Sequence, residues 1–317
     1  MSINVKLGYL SALAWTREYS TTQVSAAFLV LAREITRNSK SYSYDFKLAN
    51  EKSSARRSSA SKIPKKMKVD LKARVLNCLG QDWSPEQISG RLKLKGICIS
   101  HESIYECVRK DKTAGGSLYK HLRHGGRKYK KRCGKSAGVR HIPNRVDIAE
   151  RPAVVDEKSR IGDWEGDTVV STESRAHLVT LVDRCSKFLI VRKIGKKTME
   201  NTNNAIINSL KKHRKFVNTI TFDNGSEFAG HGEIAKKLKT EIYFARPYKS
   251  CDRGLNEHTN GLIRQYLPKK FDFKYVMDKK IREIQNLLNN RPRKVLNFHT
   301  PFEVFFDQLF QLEDASS

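Results

Sequence analysis

The sequence predicts an α/β domain over residues 147–310, a mixed five-stranded sheet with helices, preceded by an all-α region. Three observations carry this. Three β-rich runs follow one another closely after Asp147, and helical and β-rich runs then alternate. Upstream, two short segments open with helix-capping residues and are joined by a Gly-containing turn. Finally, 61 Lys and Arg against 33 Asp and Glu give a net charge of +28 over 317 residues. That balance favours a polyanionic partner, because neutralising phosphates releases counterions. Hydrophobic residues are 38% of the chain, which permits a sizeable core and argues against a small ribosomal protein.

In chain order, residues 1–50 read as irregular helix. Residues 51–69 carry seven Lys or Arg, no acid after Glu51, and interspersed Ser and Pro, so they read as an exposed basic linker. Residues 70–111 regain helical periodicity. In "DWSPEQISGRL", Ser84 is an N-cap, Pro85 the first helical residue and Gln87 the third, a capping-box pattern. Ile88 and Leu92 form an apolar pair. After "KLKGICI", Ser100 caps a second helix with Ile104, Tyr105 and Val108 on one face. Two capped helices and a tight turn suggest a helix-turn-helix in a chain of this charge, with His101, Glu102 and Ser103 at the reading end. Residues 112–146 hold eleven Lys or Arg and no acid after Asp111. They read as a linker that tracks a phosphate backbone, with Arg127, Lys128, Lys130, Lys131 and Arg132 as its densest run.

The runs "GDWEGDTVVS", "AHLVTLVDR" and "KFLIVRKI" are close enough to be antiparallel neighbours. "TMENTNNAIINSLKKH" reads as helix, "FVNTITF" as strand, "HGEIAKKL" as helix and "EIYFA" as strand. "LNEHTNGLIRQYL", "KKIREIQNLLNNR" and "TPFEVFFDQLF" are three further helices, the last opening with Thr300, Pro301 and Glu303 as a second capping box, and residues 311–317 read as a tail. Six scattered cysteines include no Cys-x-x-Cys pair, which argues against a zinc ribbon or a disulfide framework and fits a reducing cytoplasm. The run at 6–15 is too short and polar for a secretory signal, and no run approaches membrane-spanning length, so no membrane association is expected.

The acids carry the chemistry. "TITFDNGSEF" stops a β-favouring run at Asp223. Asn224 tolerates left-handed backbone and Gly225 permits a tight turn, so the carboxylate is expected at the sheet edge. On the first strand, Asp163, Glu165 and Asp167 share a face, and parity does not choose among them. Asp167 lies closest to the β-branched part, where an acid most needs a function. On the helix "LNEHTNGLIRQY", Glu257, Asn260, Gly261 and Arg264 lie opposite the apolar face of Leu255, Leu262, Ile263 and Tyr266. Three acids in one cleft repel unless a cation is present, and oxygen-rich sites suit Mg²⁺ or Mn²⁺. Two such ions can support in-line phosphoryl transfer without a protein nucleophile.

At this point "IGDWEGDTVV", "TFDNGSEFAGH", "YFARPYKSCDRGLNEHTNGLIRQYLPK" and "LNNRPRKVLNFHTPFEVF" closely resemble the integrase core of bacterial insertion-sequence transposases of the IS-thirty type. "DWSPEQISGRL", "ISHESIY" and "IPNRV" extend the resemblance upstream. It implies a ribonuclease H-like fold and an Asp-Asp-Glu triad falling on Asp167, Asp223 and Glu257, with 55 and 33 residues between successive members. It further implies two Mg²⁺ or Mn²⁺ ions per site, cutting at the element's terminal inverted repeats and joining of 3′ ends to target DNA. The implied partners are double-stranded DNA and further copies of the chain, in a bacterial, nucleoid-associated setting. The chain departs from the family pattern at Cys251, at His258 and in "PKKFDF". Its first helix-turn-helix, "YLSALAWTREYSTTQVSAAFLVLAREITRN", is short of a few residues. That departure keeps a second class open: a degenerate transposase acting only as a DNA-binding protein or repressor. A ribonuclease H-type nuclease is a third reading, one that leaves the helix-turn-helix without a role.

Overall fold

In the computed structural model the described residues are 29, 32, 33, 35–37, 45–62, 69–123, 142–246 and 254–314. Two compact units divide the chain, Met1–Val69 and Asp70–Ser317. In the first unit, α1 spans Phe46–Lys62. Most of the segment expected as linker is therefore helical. Residues 46–62 contain no Pro or Gly and are rich in Ala, Lys and Arg, good helix formers, while Pro64 lies just beyond the end. Most of the region read as the first helix-turn-helix lies outside the described residues.

The second unit opens with α2 (Val69–Gly80), α3 (Pro85–Leu94) and α4 (His101–Thr113). The expected caps are formed. Ser84 and Gln87 make the reciprocal capping box of α3, and Ser100 accepts from the Ser103 amide at the start of α4. Ile88 and Leu92 are buried, as are Ile104 and Val108, so α3 and α4 pack on one another through the faces expected from their periodicity. The end of α4 runs into the segment read as linker. There the Leu118 amide donates to Asp111 at 2.9 Å, and His121 Nδ1 lies 2.9 Å from Asp82.

The α2–α4 region docks on the α/β domain. Arg91 forks onto Glu303, with Nη1 to Oε2 at 3.0 Å, and Lys294 meets Glu86 at 2.6 Å. The Phe298 ring lies where a Cβ on Gly90 would sit, 2.3 Å away. These contacts are separated by some 200 residues in sequence, so no local pattern announces them.

The sheet contains β1 (Asp163–Val170), β2 (His177–Asp183), β3 (Leu189–Ile194), β4 (Thr219–Phe222) and β5 (Glu241–Phe244), in the order β3-β2-β1-β4-β5. β1–β2 and β2–β3 pair antiparallel, whereas β1–β4 and β4–β5 pair parallel. This is the ribonuclease H-like arrangement the resemblance implied. Short α5 (Val154–Glu157) precedes β1. The other helices are α6 (Met199–Leu210), α7 (His231–Leu238), α8 (Gly254–Tyr266), α9 (Asp278–Asn289) and α10 (Pro301–Asp314). α10 takes in residues 311–314, which were expected in the tail.

Period-2 alternation divides the core into two layers. Trp164, Val179, Leu181, Ile220, Phe222 and Phe244 face one side and pack with residues of α6, α7 and α10. Val169, Leu178, Val182, Leu189 and Val191 face the other, against α8 and α9. The outer edge of β3 is closed by side-chain amides. Asn289 both accepts from the Leu189 amide and donates to its carbonyl, each at 2.8 Å, and Gln285 accepts from the Val191 amide at 3.0 Å. Covering an edge in this way blocks strand addition there.

Candidate active site

The odd-numbered face of β1 looks toward α8 and α9. Asp163, Glu165 and Asp167 all lie on it, and the structure separates what parity could not. Asp163 is 1% exposed, accepts from Thr219 Oγ1 at 2.8 Å and pairs with Arg160 Nε at 2.9 Å. Glu165 is 2% exposed and pairs with Arg184, which also reaches Asp156 at 3.1 Å and the Val155 carbonyl at 3.1 Å. Both are buried charges compensated by arginine, the expected structural solution. Asp167, further along the strand, is only half-buried.

Asp167 Oδ1 accepts from the Thr168 amide at 2.8 Å, and Oδ2 accepts from Asn260 Nδ2 at 2.7 Å. The second bond ties β1 to α8. The parallel β1–β4 pairing runs from Asp163 with Thr219 to Glu165 with Thr221, and Asp167 and Asp223 each lie two residues beyond its last pair. Asp223 follows the last residue of β4, with the same parity as Thr219 and Thr221. Both aspartates therefore occupy the end of the sheet that α8 crosses.

Glu257 is exposed in the first turn of α8, one turn before Asn260. Among the described residues no three His, Cys, Asp or Glu converge tightly enough to hold a metal ion. The two aspartates lie just past the paired stretch of β1 and β4, and Glu257 is on α8 without closing on them. The donors are all hard oxygens, the set Mg²⁺ or Mn²⁺ prefers. The buried Oδ1 of Asn260, beside Asp167, has no hydrogen-bond partner. The residues thus fit a divalent cation.

The turn after β4 forms for a different reason from the one its sequence suggested. Neither Asn224 nor Gly225 has positive φ; Gly225 is extended at φ −70°, ψ 136°. Asn224 is a spacer, accepting from Arg145 Nη1 at 2.5 Å and donating to the Ala245 carbonyl at 2.9 Å. The Gly225 amide donates to Asp223 Oδ1 at 3.0 Å. Glycine is needed because a Cβ there would lie 2.6 Å from the carboxyl carbon of Glu227. Sequence reasoning passed over Glu227 as part of a turn. It is 4% exposed, accepts from Thr168 Oγ1 at 2.9 Å and pairs with Lys197 Nζ at 2.6 Å. The one available signal was an acid four residues after Asp223, flanked by Phe222 and Phe228, whose rings stack at 4.3 Å.

The other expected contacts fare unevenly. His101 and Glu102 are exposed at the start of α4, with Glu102 paired to Arg109 at 2.6 Å. Ser103 is half-buried and bonded to Ser100, so it serves the cap. Arg264, expected to face DNA, is half-buried. Its guanidinium donates to the Val170 and Leu267 carbonyls and stands over the Phe273 ring, because the extended arm folds back to cover the end of β1. Arg127, Lys128, Lys130, Lys131 and Arg132 lie outside the described residues, as does Cys251. No described helix is long and apolar enough to cross a membrane.

Known proteins match this chain along most of its length. Residues 158–250 match the integrase core domain family model. The transposase for insertion sequence element IS4351 of Bacteroides fragilis is 45% identical over 276 residues, spanning 86% of this chain and 84% of that protein. Transposase InsI of element IS30C from Escherichia coli K12 is 35% identical over 292 residues, spanning 86% and 74%. Among solved structures, the catalytic core domain of BIV integrase aligns with a TM-score of 0.39 at 16% identity, covering 48% of this chain and 98% of that one. On this similarity, the chain belongs to the IS30 family of insertion-sequence transposases.

Proposed function

We propose that this chain cuts DNA at the terminal inverted repeats of its own insertion sequence and joins the 3′ ends to target DNA. Asp167, Asp223 and Glu257 form its catalytic triad. The observation that supports this best is the bond from Asn260 of α8 to Asp167 at 2.7 Å, with Asp167 and Asp223 each two residues past the last β1–β4 pair. Glu257 is one turn away on the same helix.

The three carboxylates would hold two Mg²⁺ or Mn²⁺ ions, which supply Lewis-acid stabilisation of phosphoryl oxygens and a more acidic bound water or 3′-hydroxyl. The chain's own part is positioning. β1 and the end of β4 fix the two aspartates on a rigid sheet. Asn260 orients Asp167, and α8 carries Glu257 from the side open to DNA. Repulsion among the three acids keeps them from closing together without a cation. The α3–α4 pair reads the element's ends through the exposed start of α4, and the basic run at 127–132 follows the phosphate backbone. Two ends have to be brought together, so the working form is an oligomer on DNA.

The test is strand nicking on duplexes carrying the element's own ends, in Mg²⁺, Mn²⁺ or EDTA. Wild type should nick only with metal, and Glu257→Gln should bind DNA as wild type does without nicking. Wild type that binds ends and never nicks would replace this reading with that of a DNA-binding protein or repressor.

A further inference from the structure

Glu227 poses a problem of energetics. Burying a carboxylate costs several kcal/mol even after relaxation, and a neutral residue would fill a turn at less cost. Its contacts identify what the charge serves. On one side its Oε1 accepts from Thr168 Oγ1 at 2.9 Å, and Thr168 is the residue whose amide holds Asp167 Oδ1 at 2.8 Å. On the other side its carboxyl group fills the space left by Gly225, whose amide holds Asp223 Oδ1 at 3.0 Å. A single buried side chain thus touches the neighbour that holds each aspartate. Lys197 balances the charge at 2.6 Å, so Glu227 does not add to the repulsion between the two acids. His177 belongs to the same cluster. It is buried, its Nδ1 has no hydrogen-bond partner, and burial and the nearby Lys197 hold its pKa below the ordinary range against the opposing pull of Glu227.

We propose that Glu227 is a positioning residue that sets the separation of Asp167 and Asp223, with Lys197 as its counter-ion. The proposal rests on the reading of those two aspartates as metal ligands. Glu227 itself would not touch metal or DNA. It would act through Thr168 on one side and through the Gly225 turn on the other. Residues that orient metal ligands in this way typically contribute 10- to 100-fold to metal affinity or activity.

The experiment measures Mn²⁺ binding to the full chain by electron paramagnetic resonance of the free ion, together with DNA affinity and nicking. Glu227→Gln should weaken Mn²⁺ binding by roughly 10- to 100-fold and leave DNA affinity unchanged. The double variant Glu227→Gln/Lys197→Met removes both charges and keeps an oxygen to accept from Thr168. It should recover most of the Mn²⁺ affinity. Failure to recover would make Glu227 a direct ligand and overturn the positioning role. Wild-type Mn²⁺ affinity in Glu227→Gln would overturn it too, leaving a purely structural ion pair. Should Glu227→Gln not fold, Thr168→Val removes the same hydroxyl contact from a half-buried position and should weaken Mn²⁺ binding in the same direction. Unchanged binding there counts against the proposal. Asp223→Asn separates the two levels. If it binds Mn²⁺ as wild type does, the aspartate site itself is misassigned and both readings fall. If it loses Mn²⁺ while Glu227→Gln and Thr168→Val keep it, only the positioning role fails.

Discussion

The three acids on one face of β1 allow a direct separation of structural charge from the charge proposed to be catalytic. Consider Glu165→Gln beside Asp167→Asn. Glu165 is 2% exposed and its partner Arg184 5% exposed, with Arg151 at 8% in the same network. Removing the Glu165 charge leaves Arg184 buried against Asp156, whose side chain is 63% exposed and already shared with Arg151. Breaking a buried pair by neutralising one partner costs about 3–5 kcal/mol. In a unit of this size each kcal/mol moves the melting temperature by roughly 2–4 °C. Glu165→Gln should therefore melt roughly 6–20 °C below wild type. At a temperature where it stays folded, its nicking should fall far less than that of Asp167→Asn, because only the register that positions Asp167 is loosened. Asp167→Asn keeps the shape of a half-buried side chain and should change stability by no more than about 1 kcal/mol. Its metal-dependent nicking should fall more than about 100-fold, beyond the usual loss for a residue that only orients a ligand. Circular dichroism melts and a nicking assay on the same preparations give both numbers. A Glu165→Gln protein with wild-type melting, or an Asp167→Asn protein with full nicking, would refute the assignment of roles along the strand.

Three further outcomes are expected. Gly90→Ala drives a methyl into the Phe298 ring, 2.3 Å from the new Cβ, and should cost about 1–3 kcal/mol while weakening binding to the element's ends. Gly80→Ala, with nothing within 4 Å, should be neutral or stabilise by about 0.4–1 kcal/mol in the same melts. Burial raises Asp183 to about 6, against the bonds it accepts from Ser186 and Gly162. The folded pKa lies above the unfolded one, so the native state binds the extra proton and stability is lost as pH rises from about 4 through about 6. Urea titrations should show wild type losing up to about 3 kcal/mol relative to Asp183→Asn over that window.

What the sequence revealed was local. The capping boxes at Ser84 and Thr300 form as expected, with Glu303 accepting from the Thr300 amide at 2.9 Å. The five strands and the two faces of the sheet follow from period-2 alternation. What it hid depends on residues brought together from afar. Parity places Asp163, Glu165 and Asp167 alike, and only Arg160, Arg184 and Thr219 distinguish them. "Asn-Gly" read as a left-handed turn because that is the usual reason for the pair. Here the glycine is required by a carboxylate packed against its Cα. Arg264 looked like a free cation on a helix face, but folds back onto the Val170 and Leu267 carbonyls. Glu303 looked like a capping residue and is also the anchor for Arg91. Burial pushes its pKa up, yet the Arg91 and Thr300 bonds outweigh that and hold it below the usual range.

The placement of charge along β1 links the fold to the proposed chemistry. Near its start the strand is buried on both faces, and its acids there carry arginines from the preceding turn and from the β2–β3 connection. These pairs add little net stability, since desolvation offsets their attraction. They do impose a register, because a slip of one residue would bury both charges without partners. Two residues past that paired stretch comes Asp167, where the strand reaches half-exposed surface and Asn260 of α8 supplies an amide. The two paired acids upstream thus have a role in positioning the third. On this argument a Glu165→Leu/Arg184→Met replacement could equal wild type in stability and still disturb the site. The reasoning fails if that variant melts and nicks as wild type does.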